Sequence, residues 1–151
     1  MREEITAAMK QAMRDKSAVE LSTLRLVNAA IKDRDIAARS EGNPEGVDDD
    51  EILALLAKMV KQRQESAKAF EEAGRLELAE KERAEIVVIQ GFMPRQMDAD
   101  EVTKAIKDVI LDLGAEGPKD MGRVMAALKN RYAGQMDFSK ASAAVKSALS
   151  A

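Results

Sequence analysis

The chain contains no cysteine, no histidine and no tryptophan. These absences exclude disulfides, thiolate nucleophiles, Cys/His zinc sites and acid–base chemistry by an imidazole. Aromatic residues make up only 3% of the sequence, so almost no side chain is available to stack on nucleic-acid bases. The lack of cysteine also fits a reducing compartment.

Long apolar runs are missing as well. No run approaches the roughly 18–20 residues that a membrane-spanning helix needs. The first sixteen residues mix charges of both signs and lack the apolar centre of a signal peptide. We therefore expect a cytoplasmic protein with no membrane partner.

The residues that are present favour an all-α fold. Hydrophobic residues make up 46% and charged residues 34% of the chain, which is typical of a globular protein. A core of Ala, Leu, Val, Ile and Met suits helix packing better than a sandwich or barrel. Apolar residues recur at helical spacing in seven segments, at about 1–15, 18–39, 49–73, 75–90, 98–113, 120–134 and 137–150. The run from Ile86 to Ile89 resembles a strand but has no other strand candidate to pair with, so we assign it to the end of a helix.

Turn residues divide these helices into two groups. Gly91 and Pro94 stop the fourth helix. We therefore expect an N-terminal bundle of about four helices over residues 1–96 and a three-helix module over 97–151.

Charge is unevenly distributed along the chain. The formal net charge is -3. Residues 98–117 carry two basic and six acidic side chains, whereas residues 118–151 carry six basic and two acidic ones. The two closing helices are thus a basic pair, and Asp120 is expected to cap the first of them.

Three segments together resemble the YqeY family of small bacterial proteins: Asp120–Met125 (DMGRVM), Ile86–Met97 and Lys61–Glu82. That family is related to the C-terminal tail of the GatB subunit of the glutamine-dependent tRNA amidotransferase. The resemblance to YqeY spans essentially the whole chain, and that to the GatB tail starts at roughly Met97. It implies a three-helix C-terminal module that grips tRNA.

The closing helices carry the candidate RNA-binding residues. Lys119 and Arg123 lie four residues apart and are placed to bracket a phosphate. Gly122 lies in a first helical turn, where alanine would be more stable. Either close approach of a backbone or a phosphate, or a packing contact, would explain it. The predicted surface reads RNA shape rather than bases, and its residues are Lys119, Gly122, Arg123, Lys129, Arg131, Lys140 and Lys146. A merely solvated basic face is the alternative.

We expect a non-catalytic accessory protein that binds tRNA, with an aminoacyl-tRNA or amidotransferase enzyme as a second partner. One alternative is participation in carbon–nitrogen ligation with glutamine as the amido-nitrogen donor, which the resemblance alone suggests. Another is a helical protein-interaction scaffold that uses either exposed methionine side chains or the cationic middle of the third helix, Lys58, Lys61 and Arg63. We assign no catalytic residue, metal site or cofactor, because the sequence contains no phosphate-binding glycine loop, metal-ligand spacing or serine elbow.

Overall fold

The computed structural model describes residues 1–150, and these form seven α-helices without a strand, which confirms the all-α prediction. The helices are α1 (Arg2–Asp15), α2 (Ala18–Ser40), α3 (Asp49–Glu72), α4 (Leu76–Gln90), α5 (Ala99–Leu113), α6 (Met121–Arg131) and α7 (Phe138–Ser150). They form two compact units, of which the first is Met1–Met93 and the second begins at Pro94. The division thus lies before Pro94 rather than after Gln96. Residues Ile86 to Ile89 end α4 as helix, as predicted.

In the first unit, α2 packs against α1, α3 and α4. Its core consists of aliphatic side chains from these helices, among them Ile5, Leu24, Val27, Ile52, Leu56 and Ile89. The apolar surface of α2 is wider than its neighbours cover, since Leu26 is 50% and Ile36 60% exposed. One side of this helix therefore faces outward with apolar residues on it.

An ion pair fixes the loop between α2 and α3. The Arg2 guanidinium donates to both oxygens of Asp35, at 2.7 and 2.6 Å, and to the Val47 carbonyl at 2.6 Å. Asp35 also accepts the Val47 N–H at 3.0 Å. Gly46 has a left-handed φ of 84°, and a Cβ at this position would clash with the Asp35 carboxylate. Glycine is therefore required where the loop passes Asp35.

Helices α3 and α4 form an antiparallel hairpin with Gly74 (φ 73°) at its turn. Arg63 Nε donates to Glu85 Oε2 at 2.9 Å, and both side chains are largely buried. The Asp48 carboxylate and the Glu51 side chain form a capping box at the start of α3. The hairpin is thus held by a buried ion pair in addition to apolar contacts.

The second unit packs α5, α6 and α7 around a separate core of Ile106, Val109, Val124, Leu128 and Val145. A capping box of Asp98 and Glu101 starts α5. Two hydrogen bonds tie the preceding segment to the turn after α6: Gln96 Nε2 donates to the Gly134 carbonyl at 2.5 Å, and the Met97 N–H donates to the Gln135 carbonyl at 2.8 Å.

Helix α6 is shorter than its sequence pattern predicts. It follows a 3₁₀ turn, Pro118–Asp120, and ends at Arg131, three residues before the predicted end at Gly134. Tyr132 already leaves the helical backbone conformation, and Gly134 takes a left-handed φ of 73° in the turn that leads to α7. The position of the glycine therefore marks the turn rather than the last helical residue.

Candidate nucleic-acid interface

All six basic side chains of the predicted RNA surface are exposed. The 3₁₀ turn before α6 carries Lys119, and the remaining five belong to α6 (Arg123, Lys129 and Arg131) and α7 (Lys140 and Lys146). Three fully buried aliphatic residues of α6 and α7 anchor the opposite sides of these helices: Val124, Leu128 and Val145. Packing of the apolar stripes thus turns the basic positions toward solvent.

Asp120 does not cap α6 as the sequence predicts. Its side chain makes no capping hydrogen bond; Oδ2 instead accepts the Glu116 N–H at 3.0 Å, and Oδ1 accepts from Arg123 Nη2 at 3.0 Å. The reason is the 3₁₀ turn, which places Asp120 in a right-handed helical conformation rather than the extended one of an N-cap. The Glu116 N–H, followed by Arg123, lowers the pKa of the Asp120 carboxyl, which stabilises its charged form.

Arg131 is paired with the acidic helix of the same unit. Its Nη1 lies 2.7 Å from Oδ2 of Asp112 in α5, with both side chains exposed. At about 100° per residue, Arg131 and Lys129 lie roughly 160° apart around α6. Arg131 therefore points toward the flank of α5, away from the side of α6 that carries Lys129.

The four lysines of the predicted RNA surface differ from its two arginines in that their side chains have no acidic partner within residues 1–150. No hydrogen bond or ion pair within residues 1–150 involves the side-chain ammonium group of Lys119, Lys129, Lys140 or Lys146. Lys140 and Lys146 lie roughly 120° apart around α7, so they cover the outer side and one flank of that helix. These ammonium groups are available to an external anion without first breaking an intramolecular contact.

Gly122 is exposed in the first turn of α6, between Lys119 and Arg123. A Cβ built on it meets no atom within 4 Å, and its φ is not in the left-handed region. The packing explanation for this glycine is therefore wrong within the isolated chain. What remains is open space beside the backbone, at the start of a helix whose dipole favours negative charge.

The second candidate surface, the cationic middle of α3 that was predicted to contact a partner protein, loses one of its three residues. Lys58 and Lys61 are exposed, but Arg63 donates to Glu85 and, through Nη1, to the Met59 carbonyl at 3.2 Å. Its side chain is only 13% exposed. Arg63 thus stabilises the hairpin and is removed from the predicted interaction surface.

Sequence reasoning missed both acidic partners of the basic helices. The pair Asp120–Arg123 has the i,i+3 spacing that predicts side-chain contact on a helix, so its signal was present. Asp112 and Arg131 are 19 residues apart and belong to different helices. No local spacing predicts that pair.

None of the helices within residues 1–150 combines the length and the apolar character that crossing a membrane requires. The family model described as "Yqey-like protein" matches residues 2–149. The chain is also 30% identical over 132 residues to "Altered inheritance of mitochondria protein 41, mitochondrial" of Pyrenophora tritici-repentis, a match that covers 84% of this chain and 70% of that protein. The protein of the same name from Eremothecium gossypii is 30% identical over 146 residues, covering 95% of this chain and 77% of the relative.

Proposed function

The chain belongs to the YqeY family, and from this premise we propose that it is a non-catalytic accessory protein that binds tRNA through its second unit. The four unpaired lysines of that unit carry the proposal: Lys119, Lys129, Lys140 and Lys146. Phosphate contacts dominate protein–nucleic acid affinity, and exposed lysines without an internal partner supply them at the smallest cost.

The balance of charge in the second unit supports this assignment. Residues 118–151 have a formal charge of +4 in a chain whose net charge is -3. Because this region resembles the GatB tail, we propose that the polyanion it binds is tRNA. We propose an aminoacyl-tRNA or amidotransferase enzyme as the second partner, which would receive the tRNA that this chain holds.

The binding mode follows from the side chains at the surface. The single tyrosine, Tyr132, packs against the core of the second unit, so it is not placed to stack on a base. Lysine ammonium groups contact phosphates without reading sequence. Binding is therefore salt-sensitive and depends on the shape of the folded RNA.

A filter-binding titration with total tRNA at low salt tests the proposal. The double variant Lys140→Glu/Lys146→Glu is expected to lose at least about tenfold in affinity, which corresponds to roughly 1.4 kcal/mol. The matched control is Lys104→Glu/Lys107→Glu on α5, which makes the same change of charge in the same unit. Equal affinities of the two double variants would refute a specific role for α7.

The carbon–nitrogen ligase alternative and the scaffold alternative both stay predictions. Glutamine hydrolysis by the purified chain would favour the first. The cationic surface of the scaffold alternative now depends on Lys58 and Lys61, because Arg63 is bound to Glu85.

We propose a cytoplasmic, bacterial protein as the cellular setting, in keeping with the absence of cysteine. The relatives named above carry "mitochondrial" in their names, and that word applies to those proteins. Fractionation of cells with an antibody against the chain tests the location.

A further inference from the structure

The outer side of α2 carries a row of apolar residues that no other helix of the first unit covers. Val19, Leu26 and Ile36 are 46%, 50% and 60% exposed, and Ala29 lies between the last two on the same side. Positions 19, 22, 26, 29, 33 and 36 alternate steps of three and four residues, and two of these positions are polar, Ser22 and Asp33. This is the spacing with which one helix packs along another.

A basic row runs beside the apolar one. Arg25, Lys32 and Arg39 follow one another at seven-residue intervals, and all three are exposed. The side chains of Arg25 and Lys32 form no hydrogen bond or ion pair within residues 1–150. The solvent side of α2 therefore has an apolar stripe with cations along one edge.

Near the N-terminal end of α2, the apolar stripe continues onto the C-terminal part of α4. A shallow groove of about 350 Å³ is lined by Ser17, Ala18, Val19 and Glu20 and by Val88 of α4. Val87, the neighbour of Val88, is 70% exposed. An occupant of the stripe thus finds further apolar surface where α2 begins.

We propose that this surface, which we name the α2 docking face (Val19, Arg25, Leu26, Ala29, Lys32, Ile36 and Arg39), binds an acidic amphipathic helix of a partner protein. The stripe from position 19 to 36 is about 26 Å long at roughly 1.5 Å per residue, which matches a partner helix of about five turns. Apolar residues of the partner at the same spacing pack into the stripe, as in helix-in-groove recognition. Glutamate or aspartate along one edge of the partner pairs with the basic row.

Charge and composition favour this occupant over three others. A second α2 brings another basic row instead of an acidic one, so two copies of this face repel each other. RNA phosphates gain nothing from the exposed apolar side chains of Leu26 and Ile36. A lipid surface would have to accommodate the Asp33 carboxylate within the stripe, whereas a partner helix needs only an uncharged or basic residue opposite it.

The face lies on α2, in the first unit, and does not depend on tRNA binding by the second. Two synthetic helical peptides of roughly 20 residues provide the test, with identical leucines at alternating three- and four-residue steps. One carries glutamate and the other lysine along the flanking edge. Fluorescence anisotropy with the full chain is expected to give at least about tenfold tighter binding of the glutamate peptide.

Variants then assign the binding to the face. Leu26→Asp and Arg25→Glu/Lys32→Glu are each expected to weaken the glutamate peptide at least about tenfold, while Lys68→Glu on the outside of α3 leaves it unchanged. Leu26→Ala serves as a second variant if Leu26→Asp disturbs the circular dichroism spectrum. None of these variants is expected to change the affinity of the chain for tRNA.

Four outcomes would overturn the proposal. These are failure of the glutamate peptide to bind, equal binding of the two peptides, unchanged binding by the α2 variants, or dissociation of a dimer by Leu26→Asp in sedimentation experiments. Binding of tRNA or of phosphatidylglycerol vesicles that is lost in the α2 variants would likewise reassign the face to RNA or lipid.

Discussion

Nη2 of Arg123 lies 3.0 Å from Oδ1 of Asp120, one helical turn earlier in the chain. The same carboxylate accepts the Glu116 N–H, so it is held in place beside the guanidinium. Arg123 thus carries an internal counter-ion at the site where a tRNA phosphate is proposed to bind. Because solvent screens an ion pair at the surface, a phosphate can replace this one at small cost.

Removing that counter-ion is expected to tighten tRNA binding. Asp120→Asn should raise the affinity about two- to fivefold at low salt, since it releases Arg123 and removes one negative charge from the surface. Asp108→Asn on α5 removes an equal charge from an exposed position of the same unit and is the control. If the two variants bind tRNA equally, Arg123 is not a phosphate contact.

Substitution of Gly122 is expected to change protein stability and tRNA affinity in opposite directions. Gly122→Ala should raise the free energy of unfolding by about 0.5–1 kcal/mol, because a methyl group fits the open space and alanine favours the helix. The same variant should weaken tRNA binding, since the methyl group occupies the proposed phosphate approach. Chemical denaturation and filter binding measure the two effects.

A control for this variant lies one turn further along α6. Ala126→Gly should lower stability by about 1 kcal/mol without changing affinity for tRNA. A Gly122→Ala protein that is more stable and binds tRNA as well as the unmodified chain would remove Gly122 from the interface.

The ion pair between Arg2 and Asp35 predicts a pH dependence of stability. The Arg2 guanidinium and the Val47 N–H lower the pKa of Asp35 to about 2. A carboxyl whose pKa is lowered by folding stabilises the protein above its ordinary pKa of 3.8, and this contribution disappears as the pH falls toward 2.

Asp35→Asn should therefore cost about 1–2 kcal/mol of unfolding free energy at pH 7 and progressively less between about pH 4 and pH 2. Urea unfolding across this range measures the difference from the unmodified chain. Asp33→Asn, at an exposed position two residues earlier, is expected to change nothing. A constant difference at all pH values would show that loss of packing, rather than charge, accounts for the effect.

Breaking the buried ion pair between Arg63 and Glu85 is expected to cause a large loss of stability without any loss of affinity for tRNA. Arg63→Met should lower the unfolding free energy by about 3–5 kcal/mol, because it leaves the Glu85 carboxylate buried without its partner. Arg63→Met/Glu85→Leu should recover most of that loss, since both charges are then absent. Affinity for tRNA should not change in the double variant, because Arg63 lies in the first unit; a drop would show that Arg63 contributes to tRNA binding.

Much of the fold could be predicted from local sequence signals. Apolar spacing together with glycine and proline locates the seven helices, and Asp98 forms the N-cap of α5. Asp120 follows a proline that starts a 3₁₀ turn, and this turn overrides its preference for the N-cap position. The capping prediction failed there because the conformation of a neighbouring turn decides which N–H a short carboxylate can reach.

The candidate site was less predictable than the fold. Exposure of the six basic residues follows from helical periodicity, but pairing of Arg131 with Asp112 depends on how α5 packs against α6. Similarly, apolar spacing predicts that α2 is a helix, but only the structure separates buried Leu24 and Val27 from exposed Leu26. Contacts between helices, which no local pattern encodes, decide which residues remain available.

The salt dependence of tRNA binding shows whether the lysines of the second unit contact phosphates. Affinity should be measured from low to physiological salt for the unmodified chain and for a variant with Lys119, Lys129, Lys140 and Lys146 changed to glutamine. Each lysine that contacts a phosphate contributes about one to the slope of log affinity against log salt, so the variant should lose up to about four and bind weakly. An unchanged slope, or tRNA binding as tight as that of the unmodified chain, would contradict the account.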